Sequence, residues 1–115
     1  METTVVKAAT IKTEPLVEPP DGKLDLVDVF DKASGAPFSA GMCEVYPGNA
    51  IDFDYDSDAA VCYMIEGSIT LTEDGVGTSF EAGDIVYIPQ KKGLVVYWST
   101  ESYGKFFYVT YPHWR

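Results

Sequence analysis

Short runs that alternate apolar and polar residues, each closed by a turn signal, recur from residue 21 onward and restrict this sequence to a β-rich fold. Side chains of a strand point alternately to two faces, so a period of two is typical of half-buried strands. The predicted strands cover residues 21–30, 42–47, 51–56, 60–73, 78–83, 84–90, 94–100 and 105–112. No segment has a convincing apolar period of 3.6. Many short strands at this spacing predict an all-β sandwich or small barrel.

The first twenty residues have a different character. They end in Pro15, Pro19 and Pro20, and they predict an extended N-terminal arm or edge strand, with the strand at residues 3–8. Residues 21–115 are then the barrel domain. A chain of 115 residues that is 46% hydrophobic, with 8 Tyr, 6 Phe and 2 Trp, suffices for one core.

Charge and composition exclude several classes of function. The formal net charge is −10, so the surface repels nucleic acid and anionic lipid, and neither is an expected partner. The sequence has no apolar run of 18 residues and no signal-peptide pattern, so we expect neither a membrane span nor secretion, and a cytoplasmic location is the default. In that compartment Cys43 and Cys62 are expected to be free, buried thiols.

Two segments carry a family resemblance. MIEGSITLTEDGVGTSFEAGDIVYIPQKKG (residues 64–93) resembles the core of a cupin, with an EG turn into a hairpin and an AGD before a strand ending in IP. FFYVTYPHW (residues 106–114) is similar to the end of the EutQ family of ethanolamine-utilisation proteins. The resemblance covers residues 24–114. It implies a jelly-roll β-barrel in a single domain, a homodimer, and an interior that holds one small ligand.

Most cupins bind a divalent metal through three His and one Glu. Aligned through Gly48 and Gly67, those positions fall on two aspartates and two apolar residues: Asp54, Asp56, Ala60 and Leu94. No metal and no other cofactor is therefore expected. The resemblance also implies acidic residues near positions 60 and 62, and these are absent here, so the acetate-kinase activity reported in the family is not expected either.

The acidic ladder IDFDYDSD (residues 51–58) contains the candidate catalytic residues. Under the resemblance, Asp54 and Asp56 face the barrel interior and take the places of the His pair, whereas Asp52 and Asp58 are lesser candidates. Two carboxylates about 7 Å apart on one face raise one pKa, which provides a general acid and a general base. An ordinary solvated strand face explains the same alternation.

The rest of the predicted site is apolar and aromatic. If position 60 points inward, Cys62 and Met64 do as well, and Leu94, Val96 and Trp98 share a face on a later strand. These five residues are the predicted substrate-binding set, although a core without a cavity would have the same pattern. Tyr87 and Tyr108 are the tyrosines predicted to offer a phenol to the ligand.

These observations favour a barrel that acts on a small, partly apolar organic molecule without a His-ligated metal. Proton transfer is the expected chemistry, in an isomerase, dehydratase, decarboxylase or cyclase. The alternatives are a non-catalytic ligand-binding protein, an accessory or assembly subunit, and, more weakly, an enzyme with a carboxylate-bound metal. The sequence does not identify the substrate.

Overall fold

The chain folds into nine antiparallel strands and one short 3-10 turn in the computed structural model, which describes residues 2–115. The turn covers Ala8–Thr10. The strands are β1 (Glu14–Val17), β2 (Lys23–Phe30), β3 (Ser39–Tyr46), β4 (Ile51–Asp54), β5 (Ala59–Glu73), β6 (Val76–Glu81), β7 (Ile85–Ile88), β8 (Val95–Ser99) and β9 (Gly104–Tyr111). The prediction of an all-β barrel is confirmed.

Each of the eight predicted strands has a counterpart among β2 to β9, with boundaries that differ by up to three residues. The N-terminal edge strand was predicted at residues 3–8, and that placement is wrong. It lies at Glu14–Val17, where it pairs with β2, and its register shifts between Pro15 and Val17. A proline is tolerated in an edge strand because one side of such a strand needs no hydrogen-bond donor.

Strand β5 connects the two halves of the barrel. Its first half pairs with β9 and β7, and its second half pairs with β6 and β8. One half of the barrel therefore contains β1, β2, β3, β9, β5 and β7, and the other contains β6, β5, β8 and β4.

Gly67 lies where β5 passes from one half to the other. Its φ is +78°, and a Cβ at this position would lie 1.9 Å from the carbonyl oxygen of Tyr103. Because only glycine accommodates both the dihedral angle and the close backbone approach, this residue allows one strand to serve both halves.

The core fills most of the space between the two halves. Its most completely buried hydrophobic side chains are Leu24, Val45, Met64 and Ile69, together with the two cysteines. In the described part of the chain, no helix is long and apolar enough to cross a membrane.

A polar contact on the barrel wall attaches the N-terminal arm. The Glu44 carboxylate accepts hydrogen bonds from the hydroxyls of Thr13 at 2.8 Å, Tyr46 at 3.0 Å and Tyr103 at 2.7 Å. Burial alone would raise the pKa of Glu44, but these three donors outweigh it and lower that pKa. The arm, β3 and the loop before β9 are thereby joined at one carboxylate.

Candidate active site

A cavity of about 540 Å³ opens between the two halves of the barrel. That volume suits a small organic molecule. Fourteen residues contributed by six strands, the bend before β5 and the C-terminal segment line it: Leu26, Cys43, Asp52, Phe53, Asp54, Tyr55, Ser57, Asp58, Ala60, Val95, Trp98, Phe106, Thr110 and Trp114.

The acidic side chains of residues 51–58 do not all point to the same side of the barrel wall. In β4, Ile51 is buried and Phe53 half-buried, whereas Asp52 and Asp54 are exposed. Asp54 and Asp56 were predicted to face the interior, but both side chains are exposed. Asp54 lies at the cavity mouth. Asp56 is exposed and outside the lining.

A bend after β4 explains the change of facing. The backbone N–H of Tyr55 donates to the carbonyl of Leu94 at 2.9 Å, and the carboxylate of Asp56 accepts from the backbone N–H of Gly93 at 2.6 Å. These bonds attach residues 55–56 to the loop before β8. Odd-numbered residues point inward before the bend and even-numbered ones after it, and as a result Asp58 is turned into the barrel.

Asp58 is the buried carboxyl of the site. Only 7% of its surface is exposed, it lines the cavity, and it accepts no hydrogen bond from the described residues. Burial, and next the neighbouring charge of Asp54, raise the pKa of Asp58 to about 6. A carboxyl group with this pKa can both accept and donate a proton near neutral pH.

The predicted binding residues are all buried, but most lie behind the cavity wall. Cys62, Met64, Leu94 and Val96 contribute to the core, and of the five predicted residues only Trp98 lines the cavity. The predicted common facing of each set is confirmed, because all five side chains point inward. What period-two alternation could not show is which inward side chains border empty space.

The two predicted tyrosines have different locations. Tyr87 is 66% exposed on the outer side of β7, so an interior phenol at this residue is contradicted. Tyr108 is buried, but its hydroxyl already donates to the Val27 carbonyl at 3.1 Å and to the Asp28 carboxylate. Burial and the negative charge of Asp28 raise the pKa of Tyr108, so its phenol stays protonated. Its contacts are structural.

The C-terminal residues form one wall of the cavity. The indole of Trp114 packs edge-on against Phe53, with ring centroids 6.3 Å apart, and its N–H donates to Asp28 at 2.8 Å. Arg115 donates to the same carboxylate at 2.8 Å. Burial alone would raise the pKa of Asp28, but the hydrogen bonds from Tyr108, Trp114 and Arg115 outweigh it and lower that pKa. Asp28 thus holds the C-terminal segment against the cavity.

Both cysteines are free and buried, as predicted. Burial raises the pKa of Cys62 to about 12 and that of Cys43 well above its ordinary value. Cys43 lines the cavity. A thiol with a raised pKa is a poor nucleophile, so it contributes polarizable surface rather than covalent chemistry.

The usual cupin metal does not fit these residues. Of the four expected ligand positions, Ala60 and Leu94 are apolar and buried, Asp54 is exposed at the cavity mouth, and Asp56 is exposed and bonded to Gly93. Within residues 2–115 no group of three or more His, Cys, Asp or Glu side chains is arranged to hold a metal ion.

Sequence reasoning ranked Asp58 only as a lesser candidate and did not select Tyr55, Cys43, Thr110 or Trp114 as site residues. One signal was available for Asp58, because the inward alternation of residues 60, 62 and 64 extends back to residue 58. The contribution of Trp114 depends on tertiary contacts that no local pattern predicts.

Comparison with known proteins places this architecture among its relatives. A family model described as ethanolamine utilisation protein EutQ matches residues 5–115. The acetate kinase EutQ of Clostridioides difficile (strain 630) is 31% identical over 85 residues, which are 74% of this chain and 52% of that protein. The chain thus spans about half the length of this curated relative.

Solved structures agree with the family match. The Clostridium difficile EutQ protein is 27% identical with a TM-score of 0.79, over 94% of this chain and 86% of that one. An ethanolamine utilization protein Q from Salmonella typhimurium LT2 is 20% identical with a TM-score of 0.81, over 94% and 85%. The Cnp3 cupin domain of Schizosaccharomyces pombe is 14% identical with a TM-score of 0.65, over 77% and 61%, and shares the fold alone.

Proposed function

Because the chain belongs to the EutQ family of ethanolamine-utilisation proteins, with a cupin barrel, we propose that it acts on a small, partly apolar organic molecule in the cavity between the barrel halves. The resemblance predicted from the sequence is thereby confirmed. The proposed chemistry is proton transfer of the isomerase or lyase type, with Asp58 as the group that takes up and returns the proton.

The observation that supports this proposal is a carboxyl group that is 7% exposed, has no hydrogen-bond donor among the described residues and borders a cavity. Buried carboxyl groups that serve only the fold are normally hydrogen-bonded. Asp58 instead meets the two requirements of a general acid–base group, access to a bound molecule and a pKa of about 6.

Neighbouring groups have defined roles in this proposal. Asp54 at the mouth contributes the negative charge that helps to raise the pKa of Asp58. Burial raises the pKa of Tyr55, so its phenol remains protonated and is suited to donate a hydrogen bond to the substrate. The stacked pair Trp98 and Phe106, with ring centroids 4.8 Å apart, provides a flat apolar wall.

The acetate-kinase activity in the relative's name is not part of the proposal. None of the residues that line this cavity is basic, so nothing in the lining would neutralise a carboxylate or phosphate substrate. The comparison also covers only 52% of that relative.

Solvent deuterium exchange tests the proposed chemistry. Small molecules that change tryptophan fluorescence are first selected, because the chain has 2 Trp and both line the cavity. Each selected ligand is then incubated in D₂O with the wild type, with Asp58→Asn and with the matched control Asp56→Asn, whose amide oxygen can still accept the Gly93 N–H bond that fixes the bend. We expect deuterium incorporation with the wild type and the control and none with Asp58→Asn. Full exchange with Asp58→Asn refutes the role of Asp58, and binding without any exchange supports the non-catalytic alternative.

An assembly role is a second candidate, favoured by an exposed apolar surface on the outside of β7, β5 and β9. We call it the outer face; its members are Val61, Tyr63, Ile65, Ile85, Tyr87, Phe107 and Tyr111, which are between 41% and 72% exposed. Cross-strand pairs connect them, because Tyr63 lies opposite both Ile85 and Phe107.

A second copy of this chain is the proposed occupant of the outer face. With roughly 200 Å² for a fully exposed aromatic side chain, the seven residues present on the order of 800 Å², about what each partner of a standard interface buries. The largest apolar patch of a typical monomer is smaller, roughly 300–600 Å². This homodimer is the one expected from the sequence.

Sedimentation velocity on two lysine variants tests the dimer. Ile85 is 72% exposed on the outer face, and Val76 is 68% exposed on β6, away from that face. We expect a dimer for the wild type and for Val76→Lys, and a monomer for Ile85→Lys. A wild-type monomer, or dissociation by Val76→Lys to the same degree, refutes this use of the outer face.

A further inference from the structure

The charge of the cavity lining has a single sign. Asp52, Asp54 and Asp58 contribute carboxylates, and none of the lining residues is Lys, Arg or His. A cleft lined by one sign of charge between low-dielectric walls concentrates ions of the opposite sign. The lining therefore favours a cation over a neutral molecule and disfavours an anion.

Asp58 is a second and independent indication of a ligand. It is 93% buried, since 7% of its surface is exposed, and no described residue donates a hydrogen bond to it. A carboxylate on a largely buried side chain normally has a donor or a cation beside it. Asp58 borders the cavity, so a bound molecule there can supply the partner that the described residues do not.

Aromatic rings form much of the remaining wall. Phe53, Tyr55, Trp98, Phe106 and Trp114 all line the cavity. The faces of such rings attract ammonium groups, and Trp is the strongest of them.

Trp114 already contacts a cation in this way. The Arg115 guanidinium lies 4.5 Å from the indole ring, and its charge is balanced by Asp28. The same indole therefore borders the cavity and stacks with a cation.

An inorganic divalent ion is a poorer match than an organic cation. Residues 2–115 contain no group of three or more potential metal-ligating side chains within reach of one ion. A hard metal ion requires about six oxygen ligands, whereas an ammonium ion needs one carboxylate and an aromatic surface.

We propose that the cavity binds a small organic ammonium ion, with the charged nitrogen against Asp58 and a compact apolar body between the aromatic rings. This inference rests on the proposed function and names the substrate class that it leaves open. The cavity of about 540 Å³ is large enough for such an ion together with ordered water.

Three probes of similar shape and different charge test the substrate class. Choline is the cation, 3,3-dimethylbutan-1-ol is its neutral carbon isostere, and butyrate is a small anion with an apolar chain. Binding to the full chain at pH 7.5 is followed by tryptophan fluorescence and by the NMR signals of the indole N–H groups of Trp98 and Trp114. We expect choline to bind at least about tenfold more tightly than the alcohol, with no response to butyrate.

Two aspartate variants locate the charge that is responsible. Asp58→Asn should weaken choline binding about tenfold and leave binding of the alcohol unchanged. Asp56→Asn removes the same charge from an exposed site outside the cavity, and its amide oxygen can still accept the Gly93 N–H bond that fixes the bend, so it should leave both affinities unchanged. Equal loss of choline binding in the two variants would assign the effect to the general negative field and overturn the proposed contact.

The outcomes separate this inference from the proposed function. If the alcohol binds as tightly as choline, or butyrate binds better, the cationic class is wrong while a small-molecule cavity remains. If none of the three probes changes either indole signal, the cavity does not receive molecules of this size, and both proposals fall.

Discussion

Replacing Asp58 by asparagine should stabilise the fold at neutral pH and have little effect at acid pH. The substitution keeps the shape of the side chain and removes its charge. In the wild type, the pKa of Asp58 is about 6 in the folded state. The unperturbed carboxyl group in the unfolded chain has a pKa of 3.8. Between these values the folded state binds more protons than the unfolded state, so the free energy of unfolding decreases as the pH rises through this window.

The size of the effect follows from the shift. A difference of about two pKa units corresponds to at most roughly 3 kcal/mol. Because the cavity is open to water at its mouth, screening reduces the expected gain to about 1–2 kcal/mol. Above pH 7 the buried carboxyl group of the wild type is ionised, which lowers the free energy of unfolding by the full amount. Asp58→Asn has no charge at this position and is not destabilised in this way. Near pH 4 the wild-type carboxyl group is protonated, and the two proteins should have similar stability.

Urea unfolding of the wild type, Asp58→Asn and Asp56→Asn at pH 4 and pH 7.5 measures this difference. The other titratable groups lining the cavity are Asp52 and Asp54 on β4, Tyr55 on the bend and Cys43 on β3. They are present in all three proteins, so a comparison between proteins isolates the substituted residue. The reasoning is refuted if Asp58→Asn gives the same change at both pH values, or if the Asp56→Asn control gains as much stability at pH 7.5.

Three further predictions concern the scaffold. Gly67→Ala should lower the free energy of unfolding by at least about 2 kcal/mol, because φ is +78° and the added Cβ would lie 1.9 Å from a backbone oxygen. Gly83→Ala, at φ +91° with nothing within 4 Å of the added Cβ, should lower it by about 1 kcal/mol. Urea unfolding midpoints compare the two variants, and equal losses of stability contradict the argument. Tyr108→Phe should lose about 1–3 kcal/mol because the buried Asp28 carboxylate loses one of its donors, and thermal unfolding detects this; an unchanged midpoint shows that the bond is dispensable. Both thiols should react with a disulfide reagent at pH 8 only after denaturation, because burial raises each pKa; rapid reaction of the folded protein contradicts that assignment.

The strands and the inward-facing residues were predictable from the sequence because both depend on local alternation. Cys62 and Met64 share one face and Val96 and Trp98 another, as the period of two requires. The sequence did not predict equally well which of these inward side chains line the cavity and which pack in the core. Whether a buried side chain borders a cavity depends on the volumes of its neighbours from distant strands, as the difference between Val96 and Trp98 shows.

The sequence pattern did not identify Asp58 as the buried acid, and the reason is physical. The acidic residues continue at every second position through residues 52–58, but the strand ends at Asp54. The bend is fixed by bonds to Leu94 and Gly93, which lie far away in sequence. Alternation predicts facing only while the backbone remains extended, and the sequence pattern does not mark where the extension stops.

That bend also has a consequence for how such a barrel can diversify. Because the inward alternation of β5 extends back to residue 58, the residue that directly precedes this strand is the one that enters the interior. Inserting a residue between Asp58 and Ala59, or deleting Asp58, would place a different side chain at that position without altering any strand. A lineage can therefore sample different interior chemistries through loop-length variation, at little cost to the fold.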